Sequence, residues 1–138
     1  MIRKLLCLLS LSLAQPAAAQ DAAASLALEL NAVQPAGTAC RVTFLATNGL
    51  GTQLDRAAVE VALFDADGVI DRIVTLDFKG LDQGKTKVLQ FELADLACDR
   101  LGRVLVNNVT ACEGTGLAES ACINGLVTTA KPDIAFGV

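Results

Sequence analysis

Histidine, tryptophan and tyrosine are absent from this 138-residue chain, and its one methionine is Met1. Without histidine, the usual acid–base group near neutral pH is missing. Without histidine or an internal methionine, copper and most catalytic zinc sites lose their preferred ligands. Beyond the first twelve residues the only serines are Ser25 and Ser120. Neither sits in a nucleophile elbow, and no imidazole is present to activate them. Glu113 and Glu119, either side of Gly114 and Gly116, are the nearest thing to a carboxylate pair, and a solvated loop explains them equally well. The chain is therefore read as non-catalytic, with no catalytic, cofactor-binding or metal-binding residue assigned.

The first residues have the parts of a secretory signal. Arg3 and Lys4 follow Met1, an apolar run extends from Leu5 to Ala14, and Ala17-Ala18-Ala19 offers a small-x-small cleavage site. The run is too short to span a bilayer, which needs roughly 20 residues. Cys7 lies inside the run rather than at its end, where a lipid-carrying cysteine would have to be. The expected organisation is a signal peptide over 1–19, cut after Ala19, and one domain over 20–138, periplasmic or secreted. Losing Arg3 and Lys4 from eleven basic residues leaves nine against fifteen acidic, a net charge of −6. Such a domain lacks the basic footprint that draws proteins to nucleic acid or anionic lipid.

Cys40, Cys98, Cys112 and Cys122 remain after the leader. Four cysteines in an exported chain usually pair, and three connectivities are open. A zinc site of four thiolates would bring two ligands close together, as in C-x-x-C, and no such pair exists.

From Leu26 onward the apolar residues alternate as in half-buried strands. Leu26, Leu28 and Leu30 form a first strand, Cys40–Thr47 a second, and Gln34–Gly37 a turn between them. Val59, Val61 and Leu63 share one face of a third strand, and Asp65-Ala66-Asp67-Gly68 turns the chain. Ile70, Val74, Leu76 and Phe78 lie on one face of the fourth. Lys79–Gly84 reads as loop, Val88–Leu93 as a fifth strand, and Arg103–Thr110 as a sixth. Leu117–Ile123 has room for one or two helical turns. Leu126–Ala130 is a seventh strand stopped by Pro132, and Ile134–Val138 a short edge piece. About seven short strands at roughly 8–12-residue spacing suggest an all-β, immunoglobulin-like two-sheet sandwich.

That topology narrows the disulfides. In such a sandwich the second and sixth strands run the same way. Cys40 opens the second and Cys98 precedes the sixth, so both lie towards one end. Cys112 closes the sixth at the other end. Cys40–Cys98 and Cys112–Cys122 are the expected bridges.

Within this pattern Val61-Ala62-Leu63-Phe64-Asp65 matches a strand ending in F-x-L-Y-D, with Val for Phe and Phe for Tyr. Asp67-Gly68 supplies a glycine turn. Leu81-Asp82-Gln83-Gly84-Lys85-Thr86 matches a P-G-x-T-type turn, with Gln for Pro. On these residues Ala58–Leu93, about a quarter of the chain, resembles the FxLYD-type immunoglobulin-like domains of bacterial envelope proteins. The resemblance implies an extracytoplasmic β-sandwich that binds or spaces other components, and it carries no catalytic residues.

Three smaller features have ordinary explanations. Asp65-x-Asp67-Gly68-x-x-Asp71 looks like part of a calcium loop, but no closing glutamate follows, and a hairpin turn accounts for it. Asn108-Val109-Thr110 is a glycosylation sequon inside a strand. Arg100 and Arg103 have the chemistry to grip an acidic partner, or simply to face solvent. The functional expectation is a binding or accessory module of the cell envelope, with a protein partner, possessing no membrane span in its mature form. The alternative is a self-assembling envelope subunit. Either would use strand addition at an open sheet edge, for which the terminal segments Leu26–Leu30 and Ile134–Val138 are the candidates.

Overall fold

The computed structural model describes residues 14–17 and 23–138. The leader's charged start, its apolar run as far as Leu13, Cys7, the cut after Ala19, and Asp21 and Ala22 lie outside those residues. Eight strands are present among the described residues: β1 (Ser25–Ala36), β2 (Ala39–Gly49), β3 (Leu54–Asp65), β4 (Ile70–Leu81), β5 (Thr86–Leu93), β6 (Leu101–Glu113), β7 (Leu126–Ala130) and β8 (Ala135–Gly137). A 3-10 turn covers Cys98–Arg100, and one helical turn, α1, covers Ala121–Asn124.

The strands form two four-stranded sheets, ordered β5-β2-β1-β7 and β4-β3-β6-β8. The separation of β1, β2 and β5 from β3 and β6 is that of an immunoglobulin-like sandwich. The period-two residues do what alternation demands. Leu26, Leu28 and Leu30 of β1, Val42 and Phe44 of β2, and Val59, Val61 and Leu63 of β3 are all buried between the sheets. Phe44 packs edge-on against Phe78, Phe91 and Phe136, with ring centroids 5.4–6.0 Å apart, so four strands meet at one aromatic cluster.

Both bridges are the expected ones. Cys40–Cys98 ties the start of β2 to the approach to β6, and Cys112–Cys122 ties the end of β6 to α1. Their Cα atoms are 5.0 and 5.9 Å apart. Disulfides persist in oxidising compartments and are rare in the reducing cytoplasm, so two of them suit a location outside it. No helix among the described residues is long and apolar enough to cross a membrane.

The structure differs from the sequence expectation in three places. Lys79 and Gly80 belong to β4, not to a loop. The strand bulges against β3 around Ala57, and Lys79 takes a φ of 60° while its N–H bonds the Asp77 carboxylate at 2.9 Å. The polar residues that looked like a loop are thus absorbed in the bulge, and the turn begins at Asp82. Second, β1 continues past its expected end because a bulge between Leu30 and Ala32 re-aims the strand, leaving Gly37, at φ 61°, to make the turn. Third, the last two strands run parallel to their neighbours, β7 beside β1 and β8 beside β6. Pro132 stops β7, and the chain crosses to the other sheet before β8.

Candidate functional site

The expected edges are not both edges. β1 lies between β2 and β7, paired on each side, so Leu26–Leu30 offers no free backbone. The terminal segment does form an edge strand, but β8 is only three residues long, and its Phe136 is tied into the aromatic cluster. The long free edges are elsewhere. β4 has twelve residues and pairs only with β3, and β5 has eight and pairs only with β2. They close the same side of the sandwich, one in each sheet.

An open groove of about 500 Å³ runs between these two strands, floored by Val74, Leu76 and Phe91 and flanked by Arg72, Gln90 and Glu92. Strand periodicity decides what the groove contains. The Phe78 carbonyl points towards β5, since it accepts from Lys87 there. A bulge separates Phe78 from the rest of β4, and there the hairpin sets the direction: the Asp65 N–H bonds the Val69 carbonyl, so Val61 and Val59 face β4 and pair with Val74 and Leu76, while Ile73 and Thr75 present N–H and C=O along the free edge.

Two cations span the groove at its ends. Lys87 of β5 donates from Nζ to the carbonyls of Phe78 and Gly80 on β4, at 3.3 and 3.2 Å. Arg72 of β4 donates from Nη1 to the carbonyl of Ala94, just past β5. Each cation sits beside a strained residue. Lys79, between the two carbonyls that Lys87 holds, has φ 60°, and Asp95, next to Ala94, has φ 53°. They are the only non-glycine residues with positive φ among those described.

Charge around the groove is paired off. Arg41 donates to Glu92 at 2.8 Å across β2 and β5. Asp77 accepts from the Lys79 N–H, from Arg56 at 3.2 Å and from Lys79 Nζ at 3.2 Å. The backbone donor is the main cause, and with the two cations it holds the Asp77 carboxyl down at about 2 from an ordinary 3.8, against the opposing effect of desolvation.

The residues singled out in the sequence are dispersed. Asp65 spends its Oδ1 on the turn, accepting from the N–H groups of Asp67 and Val69 at 2.9 and 3.0 Å. Asp71 pairs with Arg72. Among the described residues no three or more of His, Cys, Asp and Glu gather as a metal site would require. Arg103 stacks over Phe64, 5.7 Å from its centroid, and Arg100 lies near Asp65, Asp67 and Asp99 in a shallow pocket. Glu113 and Glu119 border another beside Cys112. Asn108 and Thr110 are exposed on β6.

Sequence reasoning missed Arg72 and Lys87, although a signal was there. Arg72 shares the inward parity of Val74, Leu76 and Phe78, and Lys87 that of Leu89, Phe91 and Leu93. A charge in the apolar register of a strand marks a sheet edge. Compared with known proteins, the chain matches no family model, no curated protein and no solved structure.

Proposed function

We propose that this chain is a non-catalytic, exported envelope protein, a binding or accessory module that receives an extended segment of a protein partner along its β4–β5 side. The observation that carries the reading is the pair of long unpaired edge strands flanking one apolar groove. Such an edge gives affinity through main-chain hydrogen bonds and specificity through the side-chain pockets beside them. The two disulfides support an oxidising compartment, and the charged, apolar and small-residue regions before Gln20 support export with removal of residues 1–19. The likeness of Ala58–Leu93 to FxLYD-type domains supports a binding or spacing role in the same compartment. The absence of histidine from the sequence supports a role without catalysis.

Site-specific photocrosslinking in the native envelope tests the reading. A photoreactive residue at Thr75 on β4 forms adducts with a foreign protein, and one at Val127 on β7 does not. Adducts only between copies of the chain would favour the self-assembling subunit instead. No adduct at either position would end the reading.

A further inference from the structure

A free sheet edge is a template for any other exposed strand, and natural sheets blunt it with proline, bulges, short length or inward-pointing charge. β4 has little of the first three. It is twelve residues long and lacks proline. Its pairing with β3 runs without a register shift from Arg72 to Asp77. Ile70 and Ile73, 50% and 53% exposed, add apolar surface along it. The device that remains is charge. Lys87 and Arg72 point inward from the two facing edges, and each donates to main-chain carbonyls across the gap.

The edge is matched to a copy of itself. β4 starts beside Asp65, Asp67 and Asp71 and carries Lys79 near its end, after an Asp77 already paired with Arg56, with Lys85 and Lys87 just beyond the turn. An antiparallel copy sets the acidic start of each strand against the basic end of the other, twice over in one two-fold interface. A parallel copy would set like charge against like.

We propose that Arg72 and Lys87 are guards that keep β4 from pairing, antiparallel, with β4 of a second copy of this chain. The inference rests on reading the β4–β5 side as a strand-pairing edge. Lys87 occupies the Phe78 and Gly80 carbonyls that an incoming N–H needs, and Arg72 holds the other end of the groove closed. An arriving strand gains main-chain hydrogen bonds only after displacing both.

The test is the association state of the oxidised mature protein, read by light scattering across a concentration series. Arg72→Ala with Lys87→Ala dimerises at a concentration at least about tenfold below that of the parent. Adding Thr75→Pro returns it to monomer, because the Thr75 N–H points away from β3 and proline removes that donor from the free edge alone. Arg72→Lys with Lys87→Arg keeps the charges and behaves as the parent. If the double alanine variant loses cooperative unfolding, Arg72→Met with Lys87→Met keeps the apolar stems and carries the same test. A double variant as monomeric as the parent overturns the proposal, and so does a dimer that survives Thr75→Pro. Either result leaves foreign crosslinks at Thr75 standing, so the failure of the guards is distinct from the failure of the partner reading.

Discussion

Asn48 shows how much one buried polar side chain can organise. Its Nδ2 donates to the carbonyls of Thr52 and Leu81 at 2.8 and 2.9 Å, and its Oδ1 accepts from the Leu50 N–H. Its main chain bonds Lys85 and Gly84. The end of β2, the next loop and the β4–β5 turn therefore meet at one fully buried residue. Asn48→Leu leaves those carbonyls unpaired and costs about 3 kcal/mol, read from the urea midpoint. The sequence places Asn48 just past the second strand expected over Cys40–Thr47, whereas the structure keeps Asn48 and Gly49 in β2, paired with Leu26 and Ser25. The larger role of Asn48 was hidden because Leu81 is 33 positions away and meets it only when the sheets stack. Asp77 contributes to the acid limb. Its folded pKa lies below its unfolded value, so its contribution is present above about 3.8 and is lost as pH falls towards about 2. Asp77→Asn flattens stability over that window, measured by denaturant unfolding at successive pH values. Gly102 is required by contact rather than by φ. A Cβ there would lie 2.7 Å from the Asp65 carbonyl and 2.9 Å from the Ala66 Cα, both backbone. Gly102→Ala therefore costs about 1–3 kcal/mol and lowers Tm.

At the scale of elements, the two bridges do unequal work. In the chain-entropy account the Cys40–Cys98 loop, with a separation of 58, contributes about 4 kcal/mol, and the Cys112–Cys122 loop, with a separation of 10, about 2.5–3. Replacing each pair by alanine and measuring guanidinium unfolding should reproduce that order. Strand existence was legible because alternation is a local property, visible in Leu26, Leu28 and Leu30 or in Val59, Val61 and Leu63. Strand neighbours were not. Nothing local in Leu126–Ala130 says that it lies parallel to β1, or that β1 is thereby removed from the edge. The bulge at Lys79 was unreadable for a related reason. Lys-Gly before Leu81 has the composition of a loop, and only pairing with Ala57 across the sheet keeps it in β4.

For the whole molecule, the core is one continuous layer between two sheets, and its large side chains converge on Phe44. Phe44→Ala removes the ring on which three others pack and costs about 3–5 kcal/mol, enough to consume much of the stability of a domain this size. The free sides of the sheets are a property of this level alone. The sequence by itself determined the strand class, the disulfide pairing and the lack of histidine chemistry, because apolar period, cysteine position and residue type are written along the chain. Tertiary structure alone decided which strands are edges, that Arg72 and Lys87 reach main-chain carbonyls across the gap between β4 and β5, and that Asn48 is a junction. Those facts depend on which segments lie side by side, and strand pairing joins residues whose separation in sequence leaves no local trace.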